Sequence, residues 1–504
     1  MPPTPRRPLP KPKSKKKSKA PETFDDFIEA GIDSEEQGER YGTGERAVHY
    51  YGRAASQYGQ AYALKSDDAD CLYNWGRVLY ILVGLLPAHT PADEKIKQLD
   101  EAIAKFRQVL KLERGKTDAQ FNLAQALHMR SEILQESSEI ENSYSQSAMA
   151  LQEAIELFER VYGDQENEYK NQRHVHEDAS ASDSETHAAP KDTSETTHEA
   201  EPEATPSDAT TANQDDNEEM TVTEVEPTTV YSLIETLVCL GDTLTTMASM
   251  LASFQTSVNM FSKARTQLAT AEKWLATVPT DQHDTKEYAH ARIQIHLKEA
   301  QSFSALADRT MIASSKVDHQ LYNVAVERLD AVLAREPRHV EALCDRGDVL
   351  MAYGDACTRQ DGPLPKDVWQ ILSKADKSYK EALAIEPKNL GIINKLGDLS
   401  MIRSMLDLPV AERNRAQLLK NAEFYYKLAV ETDRQDLMHG WIGWALSTWA
   451  LEEWADVPGK RAEATKILNT WVKRGGTNEL FGNIAEDSEI LDEEFVEWVN
   501  DEFF

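Results

Sequence analysis

Four side chains close together in the sequence, His174, His176, Glu177 and Asp178, are the nearest approach to a metal-ligating set. Imidazole and carboxylate are ligands a divalent metal accepts, but a site needs several of them held in fixed geometry. These four lie in a stretch poor in large apolar residues, with no third and fourth ligand to preorganise. No metal and no cofactor is therefore expected. The chain contains no GxxxxGK[ST], GxGxxG after a strand, GxSxG or HExxH pattern, so the common phosphate cradles, nucleophile elbows and zinc helices are missing. Paired carboxylates abound because the chain is acidic, and none is set apart by an apolar surround. The reading is of a chain that is not an enzyme. Cys71, Cys239, Cys344 and Cys357 are far apart and form no CxxC pair, which suits separate buried thiols in a reducing compartment.

Charge is the other chemical signal. Of 504 residues, 86 are acidic and 55 basic, for a net charge of −31. That balance argues against a phosphate-binding body and toward basic partners, if partners are charged at all. Residues 1–20 run the other way, with eight Lys/Arg and no acid. Lys11, Lys13, Lys15, Lys16, Lys17 and Lys19 form a run similar to a monopartite nuclear import signal. Such a tail also touches nucleic acid weakly by charge alone. No apolar run approaches the length of a membrane span, and the N-terminus lacks the apolar core of a secretory signal. A nuclear or cytoplasmic location, with no membrane partner, is expected.

These residues must be positioned by helices. Apolar residues make up 40% of the chain, and they recur at helical spacing in a repeated frame. In one segment Ala375, Tyr379 and Ala382 share a helical face, Pro387 follows, and Ile393, Leu396 and Gly397 open the next helix. Small residues let two helices approach, the aromatic fills the gap, and proline ends the turn. The frame returns as Ala325, Leu329 and Val332 before Leu343, Gly347 and Leu350. It returns again as Ala54, Tyr58 and Ala61 before Leu72, Gly76 and Leu79, and as Ala102, Phe106 and Val109 before Phe121, Ala124 and Leu127. Weaker copies are Ala154, Phe158 and Val161; Ala264, Leu268 and Ala271; and Ala422, Tyr426 and Ala429.

This pattern resembles the tetratricopeptide repeat (TPR) over about residues 40–160 and 230–475. The architecture is similar to that of fungal nuclear TPR-like proteins, such as dedicated ribosomal-protein chaperones and the enhancer-of-translation-termination family. The resemblance implies an all-α superhelix of about six to seven antiparallel helix pairs, since a single pair cannot bury its apolar face alone. It also implies a concave groove lined by the second, fifth, sixth and ninth residues of each unit's first helix. Those are Asp70, Tyr73, Asn74 and Arg77, then Asp118, Phe121, Asn122 and Gln125, then Glu341, Cys344, Asp345 and Asp348, then Asn394 and Lys395. TPR proteins that hold the tails of Hsp70 or Hsp90 clamp a carboxylate with two Asn and basic residues. Asn74 and Asn122 match, but Glu235 and Cys239 stand where cations are needed, so that clamp is incomplete and this partner is the weaker expectation.

The expected layout is a disordered basic tail (1–22), N-terminal units (23–163), a disordered acidic insertion (164–228), C-terminal units (229–480) and an acidic aromatic cap or tail (481–504). The insertion carries 19 acids against 3 bases, too little apolar surface to offset chain entropy. A non-catalytic scaffold or adaptor is the leading functional expectation. The alternatives are an escort chaperone for a basic client, such as a ribosomal protein or histone, and a ribosome- or RNA-associated factor using the lysine tail.

Overall fold

The structure is a computed structural model that describes residues 21–87, 90–137, 140–184, 227–360, 362–488 and 490–504, without the side chains of 174–184 and 487. It is helical throughout these residues, as eight consecutive pairs. They are α1 (Phe24–Tyr41) with α2 (Glu45–Leu64), α3 (Ala69–Gly84) with α4 (Ala92–Leu112), α5 (Thr117–Gln135) with α6 (Ser143–Ser184), and α7 (Val230–Met250) with α8 (Phe254–Leu275). Then come α9 (Lys286–Ser314) with α10 (His319–Leu333), α11 (Val340–Arg359) with α12 (Val368–Ile385), α13 (Leu390–Met405) with α14 (Pro409–Thr432), and α15 (His439–Glu453) with α16 (Lys460–Lys473). Two short helices, α17 (Asn478–Asp487) and α18 (Glu493–Phe503), close the array.

Local sequence sets the helix limits. Thr23 and Asp26 form a reciprocal capping box at the start of α1. Asp68, Asp318 and Asn389 each accept a backbone N–H at the start of α3, α10 and α13. Pro337 and Pro387 follow the ends of α10 and α12, where a missing N–H and a steric clash forbid another turn.

The small residues of the repeat frame are the ones that disappear from solvent. Ala54, Ala61, Ala102, Ala154, Ala264, Ala271, Ala325, Ala375, Ala382 and Ala422 are fully buried, as are Tyr58, Phe106, Phe158, Tyr379 and Tyr426. In five of the eight pairs, the second helix lays a large side chain on a glycine of the first. A Cβ on Gly31 would lie 2.6 Å from the Tyr58 ring, one on Gly76 2.9 Å from Phe106, and one on Gly397 2.6 Å from Tyr426. Glycine is required there by proximity, not by backbone angle.

Four of the eight pairs add a polar lock. The phenol of Tyr58 donates to Glu35 at 2.9 Å, that of Tyr379 to Asp348 at 2.5 Å, and that of Tyr426 to Asp398 at 2.6 Å. Tyr322 donates to Asp308 in the same way. Each lock joins the second helix of a pair to the first.

The first pair is completed inside the expected span 23–163, and one boundary differs from the sequence expectation. The first unit gains a partner, α1, whose buried residues are Gly31, Ser34, Glu35 and Gly38. Phe24, Phe27 and Ile28 stand half-buried at helical spacing ahead of Gly31, Ile28 packs on the cluster that holds Tyr58, and the Tyr58–Glu35 bond adds to the contact. This pair and the last one bring the number of pairs among the described residues to eight. The acidic insertion, expected from residue 164, begins later. Helix α6 continues to Ser184, and its extension is anchored from outside. Gln165 accepts from the Thr236 hydroxyl at 2.8 Å, Glu168 accepts from Thr228 at 2.6 Å, and Tyr169 meets Trp274 edge-on. Residues 185–226 of that expected insertion lie outside the described residues, as do residues 1–20 of the basic tail.

The C-terminal aromatic segment docks on the last pair. Phe495 and Val499 of α18 are fully buried, and Phe495 and Trp498 pack against Trp449 of α15 with ring centroids 5.5 and 6.4 Å apart. An array end exposes apolar surface, and this segment covers it.

The glycine contacts give a matched test within one pair. Gly31→Ala in α1 should cost about 1–3 kcal/mol by overpacking Tyr58. Gly52→Ala in α2, where an added Cβ meets nothing within 4 Å, should instead stabilise by about 0.5–1 kcal/mol through helix propensity. Denaturant unfolding of both variants checks the pair, and equal midpoints would refute the contact.

Candidate functional site

The first helices of successive pairs (α1, α3, α5, α7, α9, α11, α13 and α15) stand side by side, and polar side chains tie each to the next. Arg77 of α3 pairs with Glu35 of α1. Asn122 of α5 donates to the Tyr73 phenol of α3 at 2.9 Å, and Lys116, just ahead of α5, pairs with Asp70. His128 of α5 lies 3.1 Å from the Thr246 hydroxyl of α7, and Gln125 reaches the Cys239 thiol at 3.9 Å. Lys298 of α9 pairs with Asp242 of α7 at 2.8 Å. Gln301 of α9 donates to Asp345 of α11 at 3.0 Å, and Lys395 of α13 pairs with Asp348. The result is a polar seam running through seven first helices.

The residues singled out from the sequence fall on this seam in three ways. Asp70, Tyr73, Arg77, Asn122, Gln125, Asp345, Asp348 and Lys395 all serve as links between helices, two of these links, Tyr73–Asn122 and Asp348–Lys395, joining members of the set. Asp118 and Glu341 are exposed, and Asn74 and Cys344 are half-buried. Asn394 is half-buried too, and its side-chain oxygen is enclosed without a hydrogen bond. Phe121 turns away, meeting Phe158 of its own pair edge-on at 5.5 Å. Its ring serves the core because α6 offers it an aromatic partner. The lysines of the basic tail lie outside the described residues, and so do the side chains of His174, His176, Glu177 and Asp178. Among the described residues no group of three or more His, Cys, Asp or Glu is placed to hold a metal.

Several residues on these helices lay outside the sequence expectation, among them Glu35, His128, Gln301, Asp242, Lys298 and Asp398. Asp398 carried a usable signal. Glu341, Cys344, Asp345 and Asp348 repeat fifty positions on as Gly391, Asn394, Lys395 and Asp398, so it is the ninth residue of its unit. Asp242 carried the same signal, standing seven positions after Glu235 as Arg77 stands after Asp70; Lys298 carried none, because α9 departs from the frame.

Electrostatics distinguishes the two halves of the seam. In the N-terminal half Glu35 and Asp70 each have a cation in contact. From α7 onward, acids outnumber the cations that reach them. Burial pushes the Asp345 carboxyl up to about 6, with Glu341 and Asp348 adding to the effect and the Gln301 amide opposing it. Burial also raises Asp398, opposed by the Tyr426 phenol, His439 and Lys395. The Cys239 thiol is pushed up to about 12 by burial and by Glu235 and Asp242, so it is inert. The site can receive a cation and offers neither a nucleophile nor a matched acid–base pair.

Comparisons with known proteins agree with a helical repeat. A family model described as "Tetratricopeptide repeat" matches residues 310–356, which take in α10 and most of α11. A second, described as "Plant specific mitochondrial import receptor subunit TOM20", matches residues 46–223. The UPF0656 protein C926.02 of Schizosaccharomyces pombe is 27% identical over 124 residues, 22% of this chain and 28% of the relative. The chain thus aligns with under a third of that relative's length. Among solved structures, the S. pombe nuclear import adaptor Nro1 aligns with 80% of this chain and 100% of its own at 11% identity and a TM-score of 0.37. Human IFIT1, solved as a dimer with m7Gppp-AAAA, aligns with 90% of this chain and 87% of its own at 11% identity and a TM-score of 0.31.

The raised Asp345 carboxyl makes a pH prediction. Its ordinary value is 3.8 and its folded value about 6, so the folded chain binds this proton more tightly than the unfolded one. That favours folding at low pH and is lost as pH rises through about 4 to 6. Asp345→Asn, which keeps an acceptor for Gln301, should therefore stabilise the protein at about pH 7.5 by roughly 1–2 kcal/mol and do little near pH 4. Thermal unfolding of both proteins across this range is the check, and parallel curves would contradict it.

Proposed function

We propose that this tetratricopeptide-type helical repeat protein is a non-catalytic adaptor that receives a basic protein segment along the inner face formed by α7 to α13. One observation carries the reading: the carboxylates of this face are buried beyond the reach of enough cations to neutralise them. A partly buried carboxylate without a full complement of positive charge gains when a cationic group arrives, and water leaves both. Glu235 and Glu341, both exposed, extend the acidic surface toward solvent, where they would steer a basic chain by long-range attraction. A carboxylate-terminated tail would meet the wrong sign here. The lysine-rich N-terminal run then has the task of location or loose contact, separate from the groove.

The test is co-purification of partners with the full chain, a Glu235→Lys/Glu341→Lys double variant and a chain lacking residues 1–20, at low and moderate salt. Both glutamates are exposed, so the double variant should fold. A small set of basic proteins should be retained by the full chain and by the shortened one, and be lost from the double variant. Retention of the same set by the double variant would defeat the proposal. Loss on removing residues 1–20 alone would move the binding to the tail.

A further inference from the structure

A cavity of about 290 Å³ lies among α11, α13, α14 and α15, with Ile484, Ser488, Ile490 and Leu491 also lining it. That volume is at the low end for ligand sites, which run from about 300 to 1,000 Å³. It suits one side chain and not a cofactor. Its walls are mixed: Met351, Ile402, Ile442, Ile484 and Leu491 are apolar, Tyr426, His439 and Ser488 are polar, and Asp398 is among the lining. The Asp398 carboxylate takes one hydrogen bond, from the Tyr426 phenol at 2.6 Å. Tyr426 is itself fixed, because Gly397 of α13 and Gly443 of α15 both press on its ring. The nearest positive charge on α13, Lys395, is engaged by Asp348. A partly apolar cavity thus ends on a rigidly held carboxylate that forms no ion pair among the described residues, with His439 of α15 as the basic side chain on its wall.

We propose that this cavity takes the side chain of a lysine or arginine from the bound segment. The aliphatic stem lies along Met351, Ile402, Ile442 and Leu491, and the cationic head meets Asp398. Long basic side chains divide their surfaces in this way, apolar along the stem and charged at the tip. An apolar side chain in the same place would displace water from the carboxylate and give nothing back. An acidic one would add a like charge. The proposal rests on the groove reading above and narrows it, by naming a fixed anchor at the C-terminal end of the acidic face.

A random heptapeptide display library selected on the full chain tests it. Enriched peptides should share one Arg or Lys. Replacing that residue by norleucine, which keeps an apolar stem and removes the charge, should weaken binding about ten- to a hundredfold on the full chain. On Asp398→Asn, which keeps an acceptor for Tyr426, the same replacement should matter by less than about twofold. The norleucine measurement on the unaltered chain needs no variant, so a folding defect cannot mask the result. Enriched peptides without a shared basic residue would overturn the anchor, and so would an equal norleucine penalty on Asp398→Asn. If those peptides are still lost from Glu235→Lys/Glu341→Lys, the groove reading survives and only the anchor falls. A selection that enriches nothing on the full chain removes both.

Discussion

The whole array depends on how closely the two helices of a pair can approach. Alanine and glycine at the contact bring the backbones together, and a tyrosine, phenylalanine or leucine from the second helix then occupies the space a larger residue would have taken. Gly397 and Gly443 show how strict this is, since both close on the same Tyr426 ring from different helices. Interiors packed at this density tolerate neither a void nor an extra methylene. Because the distance within a pair is fixed, the distance from one pair to the next is fixed too, and the seam of polar links can form.

The tyrosines connect this packing to the site. In the pairs α11/α12 and α13/α14 the ring that fills the contact ends in a phenol bonded to the ninth residue of the first helix, Asp348 or Asp398. The same side chain therefore sets the spacing of the pair and the position of a groove carboxylate. Burial of the phenol raises the proton affinity of Tyr379 and Tyr426, with the neighbouring carboxylate adding to it, so both stay donors. Each carboxylate is held as an acceptor on a rigid helix, which is how a binding group is kept in place before a partner arrives.

Much of this was legible in the sequence wherever packing is read out by large residues. The frames ending in Ala382 and Val332 place two pairs correctly, and the buried alanines elsewhere follow the same register. What stayed hidden has physical causes. Helix α1 meets α2 through Gly31 and Gly38 beside half-buried Phe27 and Ile28, a pattern unlike the alanine–aromatic frame of the other units. The run from 164 to 184 looked like a solvated insertion because it holds little large apolar surface. Its helix is held by Gln165, Glu168 and Tyr169, whose partners lie 60 to about 105 residues away. Many of the expected groove residues are engaged in links between neighbouring first helices. Pairs such as Tyr73 with Asn122, or Gln301 with Asp345, cannot be matched without the superhelical register. Asp398 was within reach by simple repetition of the fifty-residue spacing.

The two ends of the array are built differently, and this gives the molecule a mechanical direction. At the C-terminal end, α18 seats Phe495 and Val499 against Trp449, within a continuous aromatic cluster that includes Trp471 and Phe481. At the N-terminal end, α1 fully buries no large apolar side chain and is held by glycine contacts, half-buried Ile28 and a polar pair. In a linear array each unit contacts only its neighbours, and opening starts where least surface is lost. Force applied along the chain would therefore peel the array from α1 inward. The acidic half of the inner face, next to the sealed end, would be the last part to lose its shape.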